Sequence, residues 1–326
     1  MARIAVIGAG AWGTALAVQA VRAGTEAALW ARDPARAAAI AAAQENARYL
    51  PGIPLPAALQ VTADAEAALA GAALALLVVP VQGMRATLAA LPAIAAPLLV
   101  CAKGVERDTH RLPLEILAEA WPGAVAGVLT GPNFAHEVAR GLPAAAVVAA
   151  TDPGLRATAL ALLSGPVFRL YGNDDAIGAQ VGGAAKNVIA IAAGAVIGAG
   201  LGENARAALV TRGLAELARL TLALGGRAET ASGLSGLGDL MLTTAGVGSR
   251  NMSLGLALGR GERLSDVLAA RAGVTEGVAT APALVARARA AGVELPICEA
   301  VAELLQGDLT LAEAIARLMA RPLRDE

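Results

Sequence analysis

A chain of 326 residues with a formal net charge of -1 is long enough for two domains, each with its own buried core. Its acidic and basic residues are interspersed, which argues against a nucleic-acid partner or an anionic membrane surface. The chain has two histidines and two widely separated cysteines, Cys101 and Cys298, so the residues for a zinc site or a serine-histidine triad are missing.

The amino-terminal residues MARIAVIGAG contain only a short apolar run and no small-residue cleavage site. A secretory signal peptide would need a longer apolar segment. Both cysteines stand in apolar stretches, where we expect buried free thiols of a reducing compartment. These features predict a cytoplasmic protein.

The first half of the chain alternates apolar runs with helical stretches. The predicted strands are 3–7, 27–30, 73–79, 98–102, 124–129 and 144–150, with a possible last strand at 168–171. Such alternation is typical of a mostly parallel sheet, and nearly continuous apolar strands indicate helices on both faces. We therefore predict an α/β, Rossmann-type domain over residues 1–172.

From residue 173 onward the pattern changes to long alanine- and leucine-rich segments of helical period, such as 206–224, 281–291 and 311–321. The triplet Asn173-Asp174-Asp175 supplies capping residues for a long helix. The apolar run 188–202 is shorter than a bilayer span and indicates a buried core helix. Residues 173–326 are thus predicted to form an all-helical domain.

A glycine-rich turn follows the first predicted strand. Gly8, Gly10 and Gly13 form the pattern GxGxxG between a strand and a helix. The glycines permit a tight turn and close approach of the backbone to a pyrophosphate, which lies at a helix N-terminus. This context predicts a dinucleotide cofactor.

The end of the second strand bears on the choice between NAD(H) and NADP(H). Where NAD-specific proteins usually place an acid for the ribose, this chain has Arg32, which could hold a 2′-phosphate. Asp33 follows, but an aspartate before Pro34 is more often a helix N-cap. We therefore expect NADP(H) to be favoured.

Lysine is scarce in this chain: of 26 cationic residues only Lys103 and Lys186 are lysine, and the other 24 are arginine. A lysine can lose its proton whereas an arginine does not, so each retained lysine is a candidate for chemistry. Lys103 closes a strand, at the sheet edge where ligands bind. Lys186 precedes an apolar run and is predicted to be buried at the domain junction, where desolvation lowers the pKa of an ammonium toward that of a general acid.

Several further segments carry a resemblance to a known family. They are GAGAWGTALA at 8–17, ENARYLPGI at 45–53, AKG at 102–104, GPNFAHEV at 131–138, GGAAKNVIAIAAG at 182–194, NARAALVTRGLAE at 204–216, GLGDLMLT at 236–243, SRN at 249–251 and TEG at 275–277. From end to end the chain closely resembles bacterial NAD(P)-dependent glycerol-3-phosphate dehydrogenase. The resemblance implies reduction of dihydroxyacetone phosphate to sn-glycerol 3-phosphate, which supplies phospholipid synthesis.

The resemblance also implies roles for individual residues. It makes Lys186 the proton donor, and the substrate-binding positions are Lys103, Gly131, Asn133, Lys186, Asp239, Ser249, Arg250 and Asn251. Cofactor contacts, beyond the three glycines, are implied for Ala11, Trp12, Arg32, Tyr49, Lys103, Ala135, Arg250, Val274 and Glu276. Two positions depart from the family pattern: Ala11 replaces a serine, and Asn133 replaces a serine or threonine.

The chemistry of the residues agrees with this assignment. Hydride transfer to a ketone leaves an alkoxide, which needs a cation and then a proton, and a lysine supplies both. Asp239 could orient that lysine or bind a substrate hydroxyl, and the alternative is a helix N-cap. Arg250 is a candidate phosphate ligand or a solvated loop residue. His136 is expected on an outward helix face.

Two other functions remain open from the sequence. A β-hydroxyacid dehydrogenase or ketopantoate-type reductase shares the domain plan and a catalytic lysine, but the SRN and GLGD segments argue against it. A non-catalytic nucleotide-sensing protein would have no need of both lysines. The apolar helices of the second half make a homodimer plausible.

Overall fold

The computed structural model describes residues 2–271 and 273–321. Its eight strands are β1 (Arg3–Ile7), β2 (Glu26–Trp30), β3 (Gln60–Thr62), β4 (Leu74–Leu77), β5 (Leu98–Val100), β6 (Ala126–Thr130), β7 (Ala144–Ala149) and β8 (Phe168–Asn173). Its helices are α1 (Ala11–Arg22), α2 (Pro34–Ala43), α3 (Ala65–Leu69), α4 (Met84–Ala90), α5 (Pro113–Ala120), α6 (Ala135–Arg140), α7 (Pro153–Leu163), α8 (Ala176–Gly198), α9 (Gly202–Ala223), α10 (Ala228–Ser232), α11 (Asp239–Thr244), α12 (Arg250–Gly259), α13 (Leu264–Ala269), α14 (Glu276–Ala290), α15 (Pro296–Gln306) and α16 (Leu311–Met319).

The described chain divides into two compact units. The sheet unit comprises Met1–Lys103 and Leu112–Gln180, and the helical unit comprises Gly104–Arg111 and Val181–Glu326. The division by contacts falls inside α8, and the domain boundary near residue 172 stays a prediction.

The strands of the sheet unit lie in the order β3-β2-β1-β4-β5-β6-β7-β8. Among the paired strands of the described chain, β6 with β7 is the one antiparallel pair, so the prediction of a mostly parallel sheet is confirmed. Side chains of the central strands, such as Ile4, Val6 and Leu76, are fully buried because helices cover both faces. The order reverses between β1 and β4, which is the point where such sheets bind ligands.

The helical unit is built around α8. By length and composition alone α8 could cross a membrane. Its most apolar window of 18 residues is 89% buried inside the protein, however, as expected of a core helix. Asp175 caps α8 by accepting a hydrogen bond from the backbone N–H of Gly178 at 2.8 Å, which confirms one of the three predicted capping residues.

Glycines bring α12 into backbone contact with α8. A Cβ atom at Gly255 would lie 1.9 Å from the carbonyl oxygen of Ile191, and one at Gly194 would lie 2.1 Å from that of Met252. No larger residue fits either position without moving a helix. This close crossing sets the start of α12, at Arg250, relative to the lysine of α8.

Candidate active site

The glycine turn after β1 is shaped by contacts that exclude side chains. Gly8 has φ +117°, and a Cβ at Gly13 would lie 1.9 Å from the carbonyl oxygen of Gly8. A Cβ at Gly8 would lie 2.4 Å from the carbonyl oxygen of Val78, which follows β4. The turn is therefore packed against the point where the strand order reverses.

The N-terminus of α1 is open toward a ligand. Gly10 is its N-cap residue and supplies no side-chain cap, and a Cβ placed on it meets no atom within 4 Å in the described chain. Backbone N–H groups at such a terminus bind a pyrophosphate. Beside them the Nε1 atom of Trp12 is buried without a hydrogen-bond partner in the described chain. These residues fit a dinucleotide, although Ala11, the first residue of α1, offers no hydroxyl.

Two polar side chains that the sequence did not single out hold the glycine turn. Asn46, which is 1% exposed, donates from Nδ2 to the carbonyl oxygen of Ala9 at 3.0 Å and to Oγ1 of Thr14 at 2.7 Å. Arg36 also donates to the carbonyl oxygen of Ala9, and its guanidinium lies 4.3 Å from the ring centre of Tyr49. The segment ENARYL is therefore docked on the turn, which places Tyr49 beside it.

The two residues after Ala31, which follows β2, have different roles: Asp33 caps helix α2, and Arg32 is an exposed cation. Asp33 accepts hydrogen bonds from the backbone N–H groups of Ala35 at 3.0 Å and Arg36 at 3.4 Å, which confirms it as the N-cap of α2. Arg32, one residue earlier, is exposed to solvent. It is thus accessible to a ligand phosphate.

A second group of predicted residues lies beyond β5 and β6. The Nζ atom of Lys103 donates to the carbonyl oxygen of Gly131 at 3.0 Å, so these two residues are brought together. Asn133 donates to the carbonyl oxygen of Ala145 at 3.0 Å, and its Oδ1 is buried without a partner in the described chain. Ala135 begins α6, where His136 is exposed as predicted.

The helical unit contains a buried lysine cluster, formed by Lys186, Asp239 and Thr243. The Nζ atom of Lys186 lies 2.5 Å from Oδ1 of Asp239 and 3.0 Å from Oγ1 of Thr243. Lys186 is 8% exposed and Asp239 is 1% exposed, so the predicted burial of the lysine is confirmed. Asp239 begins α11 and its carboxylate binds the ammonium, while the N-cap residue of α11 is Gly238, which has no side chain.

Near this cluster, Asn251 connects three segments of the helical unit. Its Nδ2 donates to Oδ1 of Asn187 at 2.8 Å, and its Oδ1 accepts from the backbone N–H of Gly277 at 3.1 Å. One N–H of its amide is left for a ligand. Because Asn187 is adjacent to Lys186 in α8, this network fixes the start of α12 beside the lysine.

The serine and arginine of the SRN segment are placed by the start of α12. Ser249 is the N-cap residue and accepts from the backbone N–H of Met252 at 3.2 Å, which leaves its hydroxyl hydrogen free to donate. Arg250 is exposed, and its Nη1 lies close to Gly273, the residue before Val274. Val274 is 49% exposed, and Glu276 is the first residue of α14.

Strand order and the open glycine turn define the sheet unit as a Rossmann-type dinucleotide-binding domain. The family model described as NAD-dependent glycerol-3-phosphate dehydrogenase N-terminus matches residues 3–156, and that described as its C-terminus matches residues 175–316. The chain belongs to the NAD-dependent glycerol-3-phosphate dehydrogenase family.

Individual relatives agree with this assignment. The chain is 59% identical to a glycerol-3-phosphate dehydrogenase, NAD(P)+, of Acidiphilium cryptum over 322 residues, covering 99% of this chain and 98% of the relative. It is 54% identical to the protein of the same name from Bradyrhizobium sp. over 327 residues, covering 99% and 98%. The crystal structure of glycerol-3-phosphate dehydrogenase from Coxiella burnetii superposes with a TM-score of 0.93 at 37% identity, covering 98% of this chain and 99% of that one.

Proposed function

We propose that this protein reduces dihydroxyacetone phosphate to sn-glycerol 3-phosphate, reversibly, with NADPH or NADH as the hydride donor and Lys186 as the proton donor. The observation that carries the proposal is the buried contact of 2.5 Å between Lys186 Nζ and Asp239 Oδ1. As a member of its family, the protein is an oxidoreductase that uses NAD or NADP.

The burial and partners of Lys186 support a role as general acid. The reduced nicotinamide, when bound, supplies a hydride to the ketone carbon, and negative charge develops on the ketone oxygen. An ammonium in a site shielded from water stabilises that charge and then donates its proton. Asp239 and Thr243 accept hydrogen bonds from Nζ, so they fix the position of the ammonium.

The substrate phosphate is assigned to the start of α12. Arg250 supplies a guanidinium that can form two parallel hydrogen bonds, and Ser249 and Asn251 each retain a donor. The N-terminus of a ten-residue helix adds a favourable dipole for an anion. In the sheet unit, Lys103 and Gly131, joined by their hydrogen bond of 3.0 Å, are the residues proposed to contact substrate.

We also propose that NADP(H) is favoured over NAD(H). Arg32 is exposed directly after β2, where the ribose 2′ position of a bound dinucleotide lies. Asp33 is occupied as the N-cap of α2, so it is not available as the acid that an NAD-specific site places there.

The test is an assay of NADPH oxidation with dihydroxyacetone phosphate as substrate, followed by loss of absorbance. Turnover should depend on this ketone and should be far slower with ketopantoate or a β-keto acid. Oxidation driven by those acids would indicate the hydroxyacid or ketopantoate-type reaction instead. NADPH binding without turnover of any ketone would indicate a nucleotide-sensing protein.

In the cell, we propose that the protein is cytoplasmic and supplies glycerol 3-phosphate to phospholipid synthesis. The apolar helices of the helical unit support a homodimer as its working form. Sedimentation of the purified protein at several concentrations would test this: a monomer throughout would contradict it.

A further inference from the structure

Helix α11 is too short to hold its own position. It has six residues and continues directly from a five-residue π-helical turn, Leu234–Gly238, and even together the two are shorter than the roughly 12–15 residues that an isolated helix needs in water. Yet α11 carries both Asp239 and Thr243, which bind the ammonium of Lys186. The geometry of the lysine cluster therefore depends on what anchors α11.

One anchor is a cation from another helix. The last carbonyl groups of a helix have no partner within it, and a positive charge there is favourable. Here the carbonyl oxygen of Thr244, the last residue of α11, accepts a hydrogen bond of 2.9 Å from Nη1 of Arg206. Arg206 lies in the first turns of the 22-residue helix α9, which provides a stable support.

The guanidinium of Arg206 also makes an ion pair at the protein surface. Its Nε atom lies 2.6 Å from Oε2 of Glu203, three residues earlier on α9. The side chain of Glu203 is 71% exposed, whereas that of Arg206 is 28% exposed. Arg206 therefore makes two contacts: a surface ion pair with Glu203 through Nε, and a hydrogen bond to the end of α11 through Nη1.

We propose that Arg206 is a positioning residue for the reaction: it holds the C-terminal end of α11 so that Asp239 and Thr243 stay in contact with Lys186. The inference rests on the proposed function of Lys186 as proton donor. It also assigns a function to the segment 204–216, which contains none of the predicted substrate- or cofactor-binding residues.

The consequence is a selective loss of turnover. In Arg206→Met the end of α11 loses its anchor, and a shift of about 1 Å in a catalytic group can lower kcat by about 100-fold. We expect kcat to fall by about 10- to 100-fold, while the KM for NADPH changes by less than about twofold, because the glycine turn is unaffected. Arg206→Lys keeps a donor and a positive charge, so it should recover part of the loss.

Glu203→Ala is the matched control. It removes the surface ion pair and leaves the hydrogen bond from Arg206 to Thr244, so it should keep nearly full kcat. An equal loss of kcat in Glu203→Ala and Arg206→Met would overturn the assignment to the Thr244 carbonyl.

A double-mutant cycle separates positioning from general loss of stability. Thr243→Val removes one of the contacts that Arg206 is proposed to protect, so Arg206→Met should lower kcat less in that variant than in the wild type. Independent, multiplicative losses would contradict the inference. So would a wild-type kcat in Arg206→Met.

Crystal structures of the wild type, Arg206→Lys and Arg206→Met test whether Arg206 positions α11 without any activity assay. If the wild type does not reduce dihydroxyacetone phosphate, the proposed function is refuted, but this structural test still applies. The distance between Lys186 Nζ and Thr243 Oγ1, now 3.0 Å, should exceed hydrogen-bond length in the methionine variant and be restored in the lysine variant. An unchanged distance in both would overturn the inference.

Discussion

The Nζ atom of Lys186 lies 2.5 Å from Oδ1 of Asp239, and both side chains are almost completely buried. A buried charge is costly unless it is paired and hydrogen-bonded, and this ammonium is both. The carboxylate compensates the buried positive charge and holds Nζ at a fixed position on the cluster. The ion pair of Lys186 and Asp239 is thus the feature of the helical unit on which the proposed proton donation depends.

Arg250→Ala should weaken binding of the substrate phosphate. The change removes a charge-assisted contact, so the KM for dihydroxyacetone phosphate should rise by about tenfold to 100-fold. The KM for a non-phosphorylated ketone such as dihydroxyacetone should change little. Steady-state kinetics with both ketones measure this, and equal effects on both would count against a phosphate contact.

Arg32→Ala should reduce discrimination between the two cofactors. Loss of a contact to the 2′-phosphate should lower kcat/KM for NADPH by about tenfold to 100-fold and leave that for NADH nearly unchanged. Fluorescence titration of both cofactors gives a readout that does not depend on turnover. A strong preference of the wild type for NADH would contradict the proposed role of Arg32.

Gly255→Ala should destabilise the helical unit. The added Cβ would lie 1.9 Å from the carbonyl oxygen of Ile191, and a backbone atom cannot rotate away. We expect the free energy of unfolding to fall by about 3 kcal/mol, measured by urea denaturation. Gly246→Ala is the control, because a Cβ there meets no atom within 4 Å in the described chain, and it should change stability by less than about 0.5 kcal/mol. Similar losses in the two variants would argue against the close crossing of α8 and α12.

Glu216 should give stability a specific pH dependence. It is 3% exposed and accepts from the backbone N–H groups of Ile297 at 2.6 Å and Cys298 at 3.2 Å, at the start of α15. Burial raises the pKa of its carboxyl above the ordinary value. The folded state then binds a proton more readily than the unfolded chain, so this group's contribution to stability is present below the unfolded pKa and is lost as pH rises through the folded pKa.

The variant Glu216→Gln tests this effect, because it cannot ionise. Its thermal midpoint should lie below that of the wild type by an amount that shrinks as pH rises from about 4 to 8. Glu203→Gln, at an exposed position on the same helix, should show no such trend. A difference between wild type and Glu216→Gln that is the same at every pH would contradict the raised pKa.

Much of the sheet unit could be predicted because its strands are continuous apolar runs. All the predicted strands are present, with ends shifted by a few residues. The strand that was missed, β3, has three residues and no apolar run, and it exists through pairing with β2. The two lysines could be singled out because the chain otherwise uses arginine.

The rest of the site depends on contacts between residues far apart in the chain. Arg36 and Asn46 reach the carbonyl oxygen of Ala9 across 27 and 37 residues, and no local pattern indicates this. Thr243 stands four residues after Asp239, and residues with this spacing share a helix face. Recognising this needs a helix that starts at Asp239, and the glycine-rich sequence GLSGLG before Asp239 does not predict one.

The most direct test of the central claim is the turnover of Lys186→Arg. This variant keeps a positive charge beside Asp239 but cannot release a proton. The account predicts at least about a hundredfold lower kcat with dihydroxyacetone phosphate, with unchanged NADPH affinity and a nearly unchanged thermal midpoint. Turnover close to that of the wild type would contradict it, because the proton would then come from another group.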